Sequence, residues 1–372
     1  MKVNIERNDL LKAMSRSQSI VERRTTIPIL ANVLINADGS QVSLRTTDLD
    51  IEILDKVSAI VKQAGDITVG ATTLYEILRK LPDGSTMELT ADHLKSRLDI
   101  TSGKSKFSLA TLPRDDFPMM ASSEYDCNFS IESNVLRRLL DKTKFAMSSE
   151  ETRYYLNGVY LHIENNGKKD VLRAVATDGH RLARVDSELP QDAAGMPGVI
   201  IPRKTVLELR MIMDENNQEI AVSISETKVR FSTATVSLTS KVIDGTFPDY
   251  GRVIPQGNKK ILEVEASQFA QSVDRVATIS SERARAVKLT LSEDKLLLSV
   301  NSPDSGAAKE ELPVAYNDDN LEIGFNAKYL QEITGQVDLE NAVFFFNSPS
   351  DPALLREGND DSAIYVVMPM RV

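Results

Sequence analysis

The stretch ATDGHRLARV, residues 176–185, sets Asp178 two positions before His180 in a chain of 372 residues that has only three histidines. An aspartate beside a histidine can orient a general base, which would make this the working pair of a hydrolase. It can equally be a surface built to be touched. Catalysis would need a nucleophile or a metal within the same pattern. The sequence offers no Gly-x-Ser-x-Gly elbow and no histidine pair at ligand spacing, and its one cysteine, Cys127, excludes both a cysteine-cluster zinc site and an internal disulfide. A docking surface therefore ranks first for His180, a core or turn histidine second and catalysis last. No metal and no cofactor are expected.

Two further stretches imitate chemistry. GKS at 103–105 would suit a phosphate loop only with a glycine five positions before Gly103, where Leu98 stands, so it reads as a hairpin turn. Asp48, Asp50 and Glu52 share the spacing of a calcium loop, but no glycine follows at the sixth position and the spacing is also that of one strand face. They read as a solvated strand face.

The elements that carry these residues recur. Apolar strands closing on an aspartate appear as VSLRTTD ending at Asp48, LRAVATD ending at Asp178 and LSVNSPD ending at Asp304. Each aspartate is placed to bond local backbone N–H groups at a turn, and the position of His180 is filled by Asp50 and Gly306 in the other copies. Helical periodicity opens each copy at 8–20, 133–146 and 266–277 and returns around Glu76, Glu208 and Glu332. A Phe-Pro pair stands at 117–118 and 247–248 and is missing from the third copy. Three domains follow, 1–126, 127–255 and 256–372, each α+β with two helices covering antiparallel sheet.

Net charge is −10, which alone argues against nucleic acid. Its distribution argues otherwise. The six helical stretches hold thirteen Lys or Arg against six acids, so they total +7 and the remainder −17. Segregation of that kind suits helices that face a polyanion while an acidic outer surface keeps the chain soluble. The C-terminus is also unusual, because AIYVVMPMRV stays apolar almost to the last residue where chain ends are ordinarily polar. It reads as a strand from Tyr365 to Val367 followed by a groove rim from Met368 to Val372, and methionine suits a groove that takes several partners. The N-terminus has no apolar signal region and no run of 18 apolar residues occurs, so neither export nor a membrane partner is expected.

Together RYYLNG (153–158), ATDGHRLA (176–183), FPDYGRVIP (247–255) and VVMPMRV (366–372) resemble the DNA polymerase III beta-subunit, or sliding clamp, family, and the similarity runs from MKVNIER to the last residue. The resemblance implies a head-to-tail dimeric ring of DNA-clamp domains that encircles duplex DNA without reading its sequence. Such a ring is a cytoplasmic, non-catalytic processivity factor. It tethers polymerase subunits, clamp loader and repair proteins through short linear peptides bound in a cleft between the second and third domains. Carried over residue by residue, the cleft comprises Leu156, Thr177, Gly179, His180, Arg181, Leu182, Pro248, Arg252, Val253, Asn326, Tyr329, Val366, Val367, Met368, Pro369, Met370 and Arg371. DNA contacts are implied at Arg24, Tyr154, Tyr155, Arg203 and Lys204, and a ring interface at Phe107 and Leu109 against Thr278 and Ile279. Two departures from the family pattern are Gly251 beside Arg252 and the prolines Pro349 and Pro352 in SPSDPALLRE, where a plainer strand is expected. The rivals are a hydrolase using Asp178 and His180, and an acidic scaffold of repeats unconnected with replication.

Overall fold

A computed structural model describes the chain except for residues 23–25, 93, 122–123, 214–217, 281–284, 304, 359 and 372. Arg24, Asp304 and Val372 thus lie outside the described residues. The expected helices form as α1 (Arg7–Ile20), α2 (Ala71–Lys80), α3 (Ser133–Asp141), α4 (Arg203–Ile212), α5 (Ala266–Ala277) and α6 (Ala327–Thr334). Their apolar stripes face inward: α5 buries Ala266, Phe269, Val273 and Val276, a three- and four-residue spacing that keeps one side toward the sheets. Side chains cap the starts of two of them. Glu265 accepts from the N–H groups of Ser267 and Gln268, and Asn326 from those of Lys328 and Tyr329.

The chain forms two compact units, residues 1–137 with 190–243 and residues 138–189 with 244–372. Three repeats make two units because hydrogen-bond ladders run across repeat boundaries. In the first unit Val236–Lys241, from the middle repeat, pairs antiparallel with Ile51–Ser58 of the first. In the second unit Arg181–Glu188, again from the middle repeat, pairs antiparallel with Asp360–Val367 of the third. The first unit's core gathers Val3, Ile5, Leu10, Met14, Val33, Ile35 and Leu44 from α1 and its sheets with Leu74 and Leu78 from α2. In the second unit α5 packs on α6, and Phe269 lies against Phe344 with ring centroids 5.3 Å apart. GKS forms the expected tight turn, with Ser102 and Ser105 paired across it and Gly103 at φ 54°. The strand Ala353–Glu357 begins directly after Pro352, where a residue without an N–H donor costs the ladder nothing.

One turn recurs atom for atom. Asp48 Oδ1 accepts from the N–H of Asp50 at 2.9 Å and of Ile51 at 2.8 Å, and Asp178 Oδ1 accepts from the N–H of His180 at 2.9 Å and of Arg181 at 3.0 Å. The preceding threonine hydroxyls donate to the carbonyls of Ile51 and Arg181. The solvated strand face expected at Asp48, Asp50 and Glu52 holds only for Asp50. Asp48 is bonded to the turn, and Glu52 is buried against Arg45, because the strand it belongs to is covered on that face. At the residue after the aspartate both turns need positive φ, 88° at Gly179 and 81° at Leu49. A non-glycine residue pays about 1–2 kcal/mol for that conformation, while glycine adds about 0.5–1 kcal/mol of unfolded-state entropy. Leu49 is 41% exposed, so little packing is lost on truncation. Leu49→Gly is expected to raise the unfolding free energy by about 0.5–1 kcal/mol in urea titration; a lowered midpoint would mean that Leu49's contacts outweigh its backbone strain.

Candidate functional site

The Asp178 carboxylate does not address the His180 ring. Its Oδ1 is occupied by the two turn N–H groups, and its Oδ2 accepts from Arg181 Nε at 3.1 Å. A hydrolytic dyad would require that carboxylate on the imidazole. His180 is instead exposed, with its ring 6.4 Å from that of Tyr329 and inclined by 22°. Among the described residues no group of three or more potential metal ligands occurs.

The strands beside His180 gather the apolar residues of the expected cleft. The ladder between Arg181–Glu188 and Asp360–Val367 sets Leu182 opposite Val366, and Thr177 lies opposite Leu182 on the next strand. Beyond Val367 the chain passes from this sheet to the neighbouring one: Met368 N–H donates to the carbonyl of His180 at 2.9 Å, and Met370 N–H to the carbonyl of Gly324, on the strand Leu321–Asn326 of the four-stranded sheet, at 2.7 Å. The strand is longer than expected, Asp360–Val367, and Met368 through Arg371 form the rim, with Met368 38% exposed. The structure thereby brings together Thr177, Gly179, His180, Leu182, Tyr329 and the tail. Leu156 is buried at the end of a short turn, Glu151–Leu156, and its carbonyl accepts from Ser148 N–H.

Pro248, Arg252 and Val253, all exposed, stand on a segment fixed by its aromatic neighbours. Phe247 stacks on Tyr160 at 5.0 Å, Tyr160 stacks on His162 at 4.2 Å, and the Tyr250 hydroxyl lies 2.9 Å from His162 Nε2. Arg173 holds the same hydroxyl at 3.2 Å while making a two-point pair with Asp186 at 2.7 and 2.9 Å. Burial, and then the charge of Arg173, lower His162 to about 4, and burial pushes the Tyr250 phenol up. None of Phe145, His162, Arg173, Asp186, Tyr250 or Glu332 is singled out as a site residue in the sequence, although Tyr250 lies inside FPDYGRVIP and Arg173 inside LRAVATD. The inward register of Arg173 and Asp186 on facing strands is the signal that could have found that pair.

Two carried-over residues have other duties. Arg181 is buried and fully engaged: its guanidinium bonds Asp178, Glu332 and the Phe145 carbonyl and sits 4.4 Å over the Tyr329 ring. It positions Tyr329 rather than lining a free surface, because its side chain leaves the strand on the face opposite Leu182. Asn326 Oδ1 is spent on the N-cap of α6, which fixes Tyr329 on the first turn.

The remaining candidates stand on other elements or turns. Tyr154 is 53% exposed and meets Tyr155 edge to face at 5.8 Å. Arg203 is exposed at the start of α4. Lys204 bonds Asp48 Oδ2 at 2.5 Å and the Ile20 carbonyl at 2.9 Å. Several other cations of the six helical stretches have carboxylate partners too, Arg16 with Asp55, Lys142, just past the end of α3 at Asp141, with Glu357, and Arg275 with Glu310, so the surplus of positive charge counted there is smaller in effect than its count. Phe107 and Leu109 are half-buried on Ser105–Leu112, which pairs along its length with Arg97–Ser102 and on its other side only through Thr111 and Leu112. In the second unit Gly306–Pro313 ends its sheet and likewise has an open edge, while Thr278 and Ile279 follow the C-terminus of α5.

Models of the DNA polymerase III beta subunit match the chain in three successive parts: the N-terminal domain over residues 1–121, the central domain over 130–249 and the C-terminal domain over 251–371. The beta sliding clamp of Caulobacter vibrioides is 49% identical, and that of Escherichia coli 35% identical, each over the full length of both chains. Among solved structures, a sliding clamp from Bartonella birtlesii bound to griselimycin superposes with a TM-score of 0.97 at 48% identity, and one from Pseudomonas aeruginosa with 0.92 at 38% identity, both covering each chain completely.

The His162 network has a measurable consequence. Unfolded histidine takes up a proton near pH 6.5, whereas the buried ring resists it until about 4, so protonation favours the unfolded chain across that window. Stability due to this residue is present above pH 6.5, is lost as pH falls toward 4, and amounts to about 3 kcal/mol. The difference in urea stability between the native chain and His162→Gln should shrink over that interval; a pH-independent difference would mean that His162 titrates alike in the folded and unfolded chain.

Proposed function

The chain belongs to the DNA polymerase III beta-subunit family, and from that premise we propose that the groove beside His180 is where it holds its partners. The chain is a DNA sliding clamp of three beta-clamp domains, a processivity factor with no catalysis of its own, and the hydrolase reading falls. We read the domains as 1–126, 127–255 and 256–372. It works as a dimer on duplex DNA in association with the replicative polymerase. A closed ring does not need tight phosphate contacts: weak, sequence-independent ones at Arg203, Tyr154 and Tyr155 let it slide while closure prevents escape. A polymerase tethered by a short peptide then rebinds the primer end before it diffuses away.

The observation that carries the peptide reading is the bond from Met368 N–H to the His180 carbonyl, which lays an apolar tail along the edge of an apolar row. Leu182, Val253, Val366 and Met368 offer a pocket for one or two large side chains, and His180, Tyr329 and Arg371 the polar rim. Polymerase subunits, a clamp loader and repair proteins would share it, in the cytoplasm. Such a small contact supports an affinity on the order of micromolar. In calorimetry with a Gln-Leu-x-Leu-Phe type peptide, deleting Met368 to Val372 should raise the dissociation constant at least about tenfold, and His180→Ala less, since it leaves the apolar row intact. Full affinity in the truncated chain would overturn the reading.

Two open strand edges support the dimer, Ser105–Leu112 in one unit and Gly306–Pro313 in the other. An exposed edge is a ready template for a partner strand, and a head-to-tail joint would use one of each kind per interface. Phe107→Ala with Ile279→Ala should weaken such a joint by roughly 2–4 kcal/mol. Sedimentation that finds an undisturbed dimer at micromolar concentration would put the contact elsewhere.

A further inference from the structure

The face of the sheet that carries Leu182 and Val366 does not end at the groove. Side chains two residues further along the same strands, Arg184 and Ile364, keep the same face about 7 Å away, and with Arg356 opposite Ile364 they floor a cavity of about 700 Å³. Ile254, the residue after Val253 of the groove, lines the same cavity, so the basin begins one residue beyond the groove segment. Their chemistry differs. Five cations and three carboxylates line the basin. Each carboxylate is already committed: Asp186 to Arg173, Asp361 to Arg356, and Glu188 to Lys169. Arg184 keeps only a 3.8 Å approach to the shared Asp186 and a bond to the Asp361 carbonyl. The Nε–H groups of Arg184 and of Arg356 are buried without an acceptor. Leaving a guanidinium donor unmet in a part-buried wall is costly, and an incoming anion would relieve it. The carboxylates in the same wall would repel a dianion such as phosphate and tolerate a single charge.

We infer that this basin is a carboxylate subsite, which takes an acidic group carried by the docking peptide within two or three residues of the apolar side chain anchored in the groove. The spacing follows from the 7 Å between the two sites and the 3.3–3.6 Å that each extended residue spans. The inference rests on the peptide reading of the groove. Its consequence is selection: two segments with the same apolar anchor would be ranked by the charge beside it.

The test uses calorimetry on the full chain with the amidated Gln-Leu-x-Leu-Phe type peptide, alone or extended at either end by Gly-Asp or by Gly-Asn. One Asp peptide should bind about fivefold tighter than its Asn twin at low salt, with the advantage shrinking as salt rises. Arg184→Gln should abolish the advantage, and Lys168→Gln, at an exposed position that cannot perturb the fold, should reduce it. The unextended peptide should bind all three proteins alike. An advantage confined to the unextended free acid over its amide would assign the basin to a chain-terminal carboxylate and also supports the subsite. Equal binding of Asp and Asn twins at both ends with no advantage for the free acid, or a preference that survives both substitutions, overturns the inference while leaving the groove intact. If the unextended peptide fails to bind the native chain, the groove reading itself is wrong and the subsite falls with it.

Discussion

The ladder between Arg181–Glu188 and Asp360–Val367 is the constraint on which the proposed groove depends. It joins a strand of the middle repeat to the last strand of the chain, and its register decides which side chains share a face. A slip of one residue would turn Leu182 and Val366 inward and send Arg181 out to the groove side. The turn at Asp178 guards against that slip, because its carboxylate fixes His180 and Arg181 by their backbone N–H groups before the strand begins. The far end is fixed as well, since Met368 N–H bonds the His180 carbonyl just past the strand and Met370 N–H holds the tail to Gly324 on the neighbouring sheet. The atoms that hold the strands in line thus also fix which side chains the proposed groove presents.

Behind the groove segment 247–253 sits a polar network, which is a costly choice for a protein interior. Arg173 and Asp186 are 8% and 7% exposed, and a buried ion pair adds little net stability over an apolar pair of the same shape. What it supplies is direction. Arg173 and His162 both hold the Tyr250 hydroxyl, so the ring can occupy one place only, and the exposed residues that follow it inherit that placement. An apolar cluster of equal volume would let the ring, and with it Arg252 and Val253, settle in several ways.

Periodicity made the frame legible. The helix at 266–277 is read to the residue from its apolar spacing, and the Thr-Asp turn is recognisable twice because its chemistry is local: every bond in it spans four residues or fewer. Long-range pairing was not legible. Lys204 and Asp48 are 156 residues apart and Lys142 and Glu357 are 215 apart, so nothing in either neighbourhood marks the partner, and charge counted along helices overstates the charge left for DNA. The same blindness hid the duty of Arg181, whose partners Phe145 and Glu332 flank it at 36 and 151 residues. It also hid the division into two units, because the repeats are local while the ladders that join them are not.

The Thr-Asp turn and the ladder that follows it occur twice, with different side chains at the junction. Where the second unit has Met368 N–H on the His180 carbonyl, the first has Lys241 N–H on the Asp50 carbonyl at 2.8 Å, at the end of the equivalent ladder. The backbone is the same and the side chains are opposite in kind. Lys241 Nζ closes on Asp50 Oδ1 at 2.9 Å, which places a hydrated ion pair where the other junction has a methionine and an imidazole. A peptide's apolar side chain would have to strip water from that pair without replacing it, so the first junction is closed to it by desolvation cost and not by shape.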